Sequence, residues 1–175
     1  MEKRDLFDEN RNFTGKTILK GEEVPKGYYY QVVIIFMENA DGRFLIQKRV
    51  PKKDGKWAST GGHPKAGETS YEGVLTEVKE EIGLDISNED IKLVLTVHDH
   101  DTFCDLYYVK MDIDLDKIVC QEDEVEKVKL ATLDEIKEMI KEGAFHKVHG
   151  MALFDVLEEL KKGEKKNDKV RTIQR

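Results

Sequence analysis

The segment GGHPKAGETSYEGVLTEVKEEIGL, residues 61–84, carries the side chains of this 175-residue chain that are best suited to chemistry. Glu77, Glu80 and Glu81 lie within about one turn of a predicted helix. Like charges at this spacing repel each other by a few tenths of a kcal/mol per pair. A divalent cation would remove the conflict, because magnesium prefers oxygen ligands and keeps water molecules that phosphate oxygens can replace. The alternative interpretation is a solvated acidic face that binds no ligand.

The element that must position these carboxylates has clear boundary signals. Thr69 can cap the helix with Glu72 completing a capping box, and Gly83 can end it in a left-handed conformation. Helical spacing also predicts one apolar face. Its members are Tyr71, Val74, Leu75, Val78 and Ile82.

The angular positions of the glutamates predict a shared site. At about 100° per residue, Glu77 and Glu81 are neighbours at the edge of the apolar face, and Glu80 lies further out. Glu81 borders Val74, so its carboxylate is expected to be partly desolvated. Two such carboxylates disfavour each other's ionised form, which a bound cation would relieve.

The same segment resembles the Nudix box, whose pattern is Gly, five residues, Glu, seven residues, then Arg-Glu-aliphatic-x-Glu-Glu-x-Gly-aliphatic. Gly62 and Glu68 match its first two fixed positions, and residues 76–84 match the rest with one departure. Thr76 stands where the family has an arginine that holds the box glutamates by ion pairs. The departure bears on catalytic strength more than on metal binding, and Arg49 or Lys79 could supply the lost charge.

The resemblance implies a magnesium-dependent hydrolase that cleaves the diphosphate linkage of a nucleoside diphosphate derivative or a related organic diphosphate. Mg²⁺, or Mn²⁺, would hold the diphosphate and activate water, and a glutamate would accept the proton. The implied catalytic residues are Glu77, Glu80 and Glu81. A non-catalytic binding module of the same fold stays open because of Thr76.

The resemblance also implies further site residues. The metal ligands would be Glu77, Glu81, Glu80, the backbone carbonyl of Gly61, and Glu124 from the later stretch QEDEVEKV. For Glu124, a solvated acidic turn is an equal alternative. The substrate-binding residues would be Gly62, His63, Glu68 and Arg49. For His63, a solvent-facing loop position is the favoured alternative.

A second resemblance concerns the branch of the family. The stretches DLFDENRNFTGK, FLIQKR and WASTGGHP are similar to parts of isopentenyl-diphosphate isomerase, an enzyme with the Nudix fold. That isomerase uses a cysteine where Gly61 and Gly62 stand here, and metal-binding histidines where GYYYQVV has none. The comparison favours an isomerase-like branch of the hydrolases, with isomerase activity as the alternative.

The chain has four other histidines. His98 and His100 in HDHD invite a second metal site, but no third ligand at a defined spacing supports it, so a polar strand end is the favoured interpretation. His146 and His149 flank the predicted start of the last helix and are expected at the surface.

Composition narrows the class of protein. The net charge of −7, from 36 acidic and 29 basic residues, argues against nucleic-acid binding. The charged start and the short apolar run VVIIFM argue against a secretion signal and a membrane span. Two cysteines without a CxxC pair fit a reduced cytoplasm. We therefore expect a cytoplasmic protein, monomeric or homodimeric, with a small-molecule diphosphate as its partner.

Strand and helix signals alternate along the chain. The extended stretches include YYYQVVIIFM and RFLIQKR around the turn NADG, which predict a hairpin. Thr132 and Glu135 form a second capping box before a helix. The pattern predicts an α+β fold, a Nudix-like α/β/α sandwich with a mixed sheet flanked by helices. We expect one domain at 1–163 with an N-terminal β extension over about 1–25, and a polar, fraying tail at 164–175.

Overall fold

A computed structural model describes residues 1–163 and 170–175. The strands are β1 (Lys3–Phe7), β2 (Phe13–Leu19), β3 (Tyr30–Glu38), β4 (Phe44–Arg49), β5 (Trp57–Ala58), β6 (Thr60–Gly62), β7 (Lys92–Asp99), β8 (Thr102–Lys110), β9 (Val125–Ala131) and β10 (Arg171–Gln174). The α-helices are α1 (Ser70–Ile82), α2 (Leu133–Lys141) and α3 (Lys147–Gly163). No helix within these ranges has the length and apolar character to cross a membrane.

A mixed sheet lies between helices, which confirms the predicted α+β sandwich. The strand order is β10-β7-β8-β3-β4-β5, with β6 beside β3 and β9 beside β4. Strands β3 and β8 are parallel, as are β10 and β7. Along β3, Val33, Ile35 and Met37 pack with α1, whereas Ile34 and Phe36 pack with α2 and α3. Strand β3 is therefore buried on both faces.

The turn of the hairpin predicted around NADG forms, but β3 and β4 do not pair along their lengths. Glu38 and Phe44 are the registered pair between β3 and β4, and β4 otherwise pairs with β9 and β5. The freed edge of β3 pairs with β6, so that Gly61 and Gly62 lie beside the first half of β3. A turn signal reports only local geometry and cannot reveal that β6 competes for this edge.

The N-terminal hairpin, which was predicted as a β extension, contacts the glutamate segment. Strands β1 and β2 form a separate antiparallel sheet. The carbonyl of Lys3 accepts a hydrogen bond from the Ala66 amide at 2.8 Å, and the Asp5 carboxylate accepts one from the Gly67 amide at 2.9 Å. These bonds connect the extension to the loop that leads into α1.

A buried ion pair also holds this hairpin against the sheet. Arg11, in the turn after β1, donates to Asp105 of β8 through both terminal guanidinium nitrogens, one of them at 2.9 Å. Asp105 is 1% exposed. Its carboxylate also accepts hydrogen bonds from Thr96, at 2.7 Å, and from Ser70 at the start of α1. The hairpin, the sheet and α1 thus share one carboxylate.

The end of the chain differs from the expected fraying tail. Residues 164–169 lie outside the described residues, but Arg171–Gln174 form β10 along the edge of β7. Ile173 packs against the core, and the amide of Arg175 donates to the carbonyl of His98 at 3.0 Å. Polarity alone therefore misjudged these last residues. The domain boundaries near 25 and 163 stay predictions.

Removing Arg11 should leave Asp105 buried without its cation. We expect Arg11→Met to lower the free energy of unfolding by about 3 kcal/mol, measured by urea denaturation. Arg43→Met is the matched control, since Arg43 pairs with Asp41 in an exposed turn and should cost less than about 1 kcal/mol. Equal losses in the two variants would contradict this role of the Arg11–Asp105 pair.

Candidate active site

Helix α1 begins and ends where its sequence signals predicted. Thr69 caps it in a reciprocal capping box with Glu72, and Gly83 ends it in the left-handed conformation at φ 70°. The buried face of the helix, however, is rotated relative to the predicted apolar face, towards the glutamates. Glu81 is 7% exposed and lies within the buried face, whereas Tyr71 is 40% exposed. The predicted edge position of Glu81 therefore understated its burial.

A hydrogen-bonded chain of buried polar groups holds Glu81. The Gln47 amide donates to the Glu81 carboxylate at 2.7 Å, and the Thr60 hydroxyl donates to the Gln47 amide oxygen at 2.9 Å. Burial raises the pKa of Glu81, and the bond from Gln47 opposes the shift. Sequence reasoning missed Gln47 and Thr60, although Gln47 is a polar residue that ends the buried run FLIQ.

Glu77 lies against the backbone of the loop before α1. Its carboxylate accepts a hydrogen bond from the His63 amide at 3.0 Å. Gly62 makes this approach possible, since a Cβ there would come within 2.3 Å of the Glu77 carboxylate. Burial, and then the neighbouring Glu81, raise the pKa of Glu77 to about 7.

Glu80 and Glu68 are connected through residues that the sequence did not single out as their partners. Lys65 forms an ion pair with Glu80, which compensates for the charge missing at position 76. The Thr76 hydroxyl instead donates to Glu68 at 2.7 Å, and Glu68 also accepts from the Lys65 amide at 2.8 Å. The residues suggested for compensation pair elsewhere: Lys79 lies 4.0 Å from Asp85, and Arg49 lies 3.0 Å from Asp54.

Most of the predicted site residues line one cavity of about 340 Å³, but Glu68 does not. Its acidic members are Glu77, Glu80, Glu81 and Glu124, together with Glu2 of the N-terminal hairpin. Its basic members are Arg4, Lys20, Arg49 and Lys53. Glu124 faces the cavity, as the ligand hypothesis requires, but it forms an ion pair with Lys53. The sequence pattern did not single out Arg4 and Lys20, because charged residues are common on exposed hairpins.

His63 is half-buried and does not face solvent as a free loop residue. Its ring stacks on that of Tyr30 with centroids 5.3 Å apart, and the Arg4 guanidinium lies 5.8 Å from the same Tyr30 ring. Burial, and then the positive charge of Arg4, lower the pKa of His63 to about 3. An uncharged His63 therefore lines the cavity next to Glu77.

The other histidines divide into two groups. His146 and His149, expected at the surface, are partly buried and line the cavity, because the start of α3 turns inward against β5. His98 packs between Tyr29 and Phe103. The interpretation of HDHD as a polar strand end stays a prediction.

The glutamates fit a divalent cation by their chemistry, but the described residues do not form a preformed cluster. Within residues 1–163 and 170–175, no three Asp, Glu, His or Cys side chains are gathered closely enough to bind an ion together. Glu77, Glu81, Glu80 and Glu124 each have a different partner in the protein. The raised pKa values of Glu77 and Glu81 show that their ionised forms lack compensation, which oxygen-binding Mg²⁺ would provide.

Comparison with known proteins gives a consistent result. The NUDIX domain family matches residues 29–154. An uncharacterized Nudix hydrolase of Listeria monocytogenes is 33% identical over 150 residues, which cover 83% of this chain and 88% of that protein. An uncharacterized Nudix hydrolase of Listeria innocua matches with the same identity and coverage.

Two solved structures show the same fold at low sequence identity. The DR0079 protein of Deinococcus radiodurans has a TM-score of 0.71 at 19% identity, covering 86% of this chain and 97% of that chain. The NUDIX domain of Shewanella oneidensis NrtR, crystallised with ADP ribose, has a TM-score of 0.60 at 17% identity, covering 81% of this chain and 93% of that chain.

The two glycines of β6 should respond differently to an added methyl group. In Gly62→Ala the methyl meets the flexible end of Glu77, so we expect near-normal stability but loss of most of the melting-temperature increase that Mg²⁺ produces. In Gly61→Ala it meets the Val33 carbonyl at 2.4 Å, which should cost about 2 kcal/mol. Gly163→Ala, in open space, is the control. An unchanged Mg²⁺ effect in Gly62→Ala would contradict this arrangement.

Lys65 and an arginine at position 76 should compete for Glu80. We expect Lys65→Met to lower the free energy of unfolding by about 0.5 kcal/mol. Thr76→Arg should restore this loss in the Lys65→Met background, because position 76 lies one turn before Glu80. In the wild-type background it should gain little and lose the bond to Glu68. A double-mutant cycle measures the coupling, and strict additivity would show that the two positions do not share Glu80.

Proposed function

This chain belongs to the Nudix family, and we propose that it is a Mg²⁺-dependent hydrolase of a nucleoside diphosphate derivative or a related organic diphosphate. Mn²⁺ is the alternative cofactor. One observation carries the proposal: the partly buried Glu77 and the buried Glu81, whose pKa values are both raised, line a single cavity together with basic side chains. Such a cavity suits a ligand that brings a cation and a polyanion together.

The basic side chains are suited to the diphosphate. Arg4 and Lys20 come from the N-terminal hairpin, and Arg49 and Lys53 from the end of β4 and the loop after it. Guanidinium and ammonium groups bind phosphate oxygens through charge-assisted hydrogen bonds. These four residues would bind and orient the diphosphate in the cavity that they share with the glutamates. Arg49 thus keeps the substrate-binding role that the resemblance implied.

The glutamates would supply the metal site. We propose Glu77, Glu81 and Glu80, the Gly61 carbonyl and Glu124 as the groups that hold Mg²⁺. A bound Mg²⁺ would neutralise phosphate charge and make water a better nucleophile. To bind it, the carboxylates must exchange their present partners, which are the His63 amide, Gln47, Lys65 and Lys53. Two of those partners, Lys65 and Lys53, are then free to turn to the substrate.

A carboxylate must also take the proton from the attacking water. Glu77 and Glu81 are the candidates deepest in the cavity, and Glu80, with a side chain that is 45% exposed, is the third. Gly62 and His63 form the adjoining wall, where the missing side chain of Gly62 leaves space beside Glu77. Glu68 would act indirectly, since it is bonded to Thr76 and to the Lys65 amide and so shapes the loop.

The remaining expectations follow from this function. Gly61 and Gly62 offer no thiol at the position of the isomerase cysteine, so proton delivery to a carbon atom lacks its acid, and hydrolysis is favoured over isomerisation. The isomerase-like branch rests on the N-terminal, FLIQKR and WASTGGHP similarities. We also propose a cytoplasmic protein, monomeric or homodimeric, that does not bind nucleic acid.

Hydrolysis should require both the cation and the buried glutamates. We expect release of phosphorus products from ADP-ribose or another nucleoside diphosphate derivative in the presence of Mg²⁺, with ¹⁸O from water in a phosphate product. Glu81→Gln should lower turnover by about 10²-fold or more and abolish most of the Mg²⁺-induced rise in melting temperature. Glu122→Gln, an exposed acid in the same stretch as Glu124, is the control.

Three results would count against the proposal. Label-free phosphate products would exclude attack of water at phosphorus. Faster conversion of isopentenyl diphosphate to its allylic isomer would favour the isomerase. Ligand binding without any turnover across nucleotide sugars, dinucleotides, nucleoside triphosphates and prenyl diphosphates would favour the non-catalytic binding module.

A further inference from the structure

Three polar side-chain atoms are buried without a hydrogen-bond partner in the described part of the chain. They are Nε of Arg4 and the Nδ1 atoms of His146 and His149. Buried polar atoms in folded proteins nearly always have partners, so each exception calls for an explanation. All three residues line the same cavity, Arg4 on the N-terminal hairpin and the two histidines at the start of α3. Their unfilled bonding capacity is therefore concentrated where a ligand would sit.

The two imidazoles form one rigid surface. Their ring centroids are 4.7 Å apart at an interplanar angle of 69°. The His146 amide donates to the Trp57 carbonyl of β5 at 2.7 Å, and the Gly150 amide donates to the His146 carbonyl at 2.9 Å. Gly150 has no room for a side chain, because a Cβ there would lie 2.9 Å from Ile140. Backbone bonds and close packing thus fix the start of α3, which carries both rings.

Burial disfavours the protonated form of both imidazoles. Burial is the main cause of the lowered pKa of His146, and it lowers the pKa of His149 to about 3. The nearby backbone of Ser59 opposes this shift in the pKa of His149. Nδ1 of His149 has no hydrogen-bond partner among the described residues. A neutral imidazole that donates through Nε2 presents Nδ1 as an acceptor.

We propose that His146 and His149 bind the non-phosphate part of the substrate, and that this part carries an N–H or O–H donor for the Nδ1 atom of His149. A ribose or an amino-bearing nucleobase has such donors. The inference rests on the proposed function, because it assigns the part of the cavity lined by the glutamates and the basic side chains to the diphosphate. His146 and His149 are then specificity-determining residues and take no part in the chemical step.

The proposal predicts discrimination between classes of diphosphate. A prenyl diphosphate has no donor in its hydrocarbon chain, so binding it here would leave the Nδ1 atom of His149 buried and unpaired. Sites built to bond a polar group reject analogues that lack it far more strongly than apolar pockets reject an extra group. The same two histidines would therefore separate this chain from an enzyme that handles isoprenoid diphosphates.

Calorimetric titration in Mg²⁺ with three probes tests the proposal. ADP has donors on its non-phosphate part, isopentenyl diphosphate has none there, and inorganic pyrophosphate has no organic part. We expect wild-type protein to bind ADP at least tenfold more tightly than isopentenyl diphosphate. His149→Leu should weaken ADP binding about tenfold and leave pyrophosphate binding within twofold. His149→Asn, which retains a polar atom near the position of Nδ1, should recover part of the loss.

Two further variants control for effects on folding and on the surface of α3. Val148→Ala, at a neighbouring α3 residue that is 54% exposed, should leave all three affinities unchanged. If His149→Leu does not fold, His146→Leu provides the same comparison. Loss of ADP and pyrophosphate binding in equal measure, or equal wild-type affinity for ADP and isopentenyl diphosphate, would overturn this inference alone. Absence of pyrophosphate binding to wild-type protein would overturn the proposed function together with it.

Discussion

The proximity of Glu77 and Glu81 on the buried face of α1 is the constraint to which the rest of the site is fitted. Burial raises the pKa of both carboxyl groups, and the charge of Glu81 raises that of Glu77 further, so both need hydrogen-bond donors where no cation is available. Gln47 supplies a donor to Glu81, and the His63 amide supplies one to Glu77. These donors are weaker partners than a divalent ion, so the carboxylates are held in place without being fully satisfied.

The N-terminal hairpin adds basic side chains to the cavity, although it lies outside the region that matches the family. The match covers residues 29–154, whereas Arg4 and Lys20 precede it and reach the cavity. The hairpin is fixed by the Arg11–Asp105 pair and by amides of the loop that carries Glu68. Because these contacts hold the hairpin in place, its basic side chains are a constant part of the cavity lining.

Sequence reasoning recovered the local features of this fold and missed the long-range ones. The capping boxes at Thr69 and Thr132 follow from short motifs and are confirmed. The pairing of β3 with β6 and the strand β10 depend on competition between distant segments, which local signals do not report.

The same distinction applies to the candidate site. The glutamates come from one contiguous motif, so their shared location could be predicted. Their partners Gln47 and Lys65, like the cavity-lining Arg4 and His149, come from other elements, and only the topology brings them together.

The short segment WASTGG connects the two halves of the cavity and sets their separation. At one end, Trp57 bonds to the backbone of Ala144 and His146 and so fixes the start of α3. At the other end, Gly61 and Gly62 lie against β3 and Glu77, where added side chains have no room. Six residues of extended chain span roughly 20 Å at most, so the histidines and the glutamates cannot move apart independently. The segment therefore acts as a fixed spacer, and the distance between the Glu77 and Glu81 carboxylates and the imidazoles is set by the strands of the sheet.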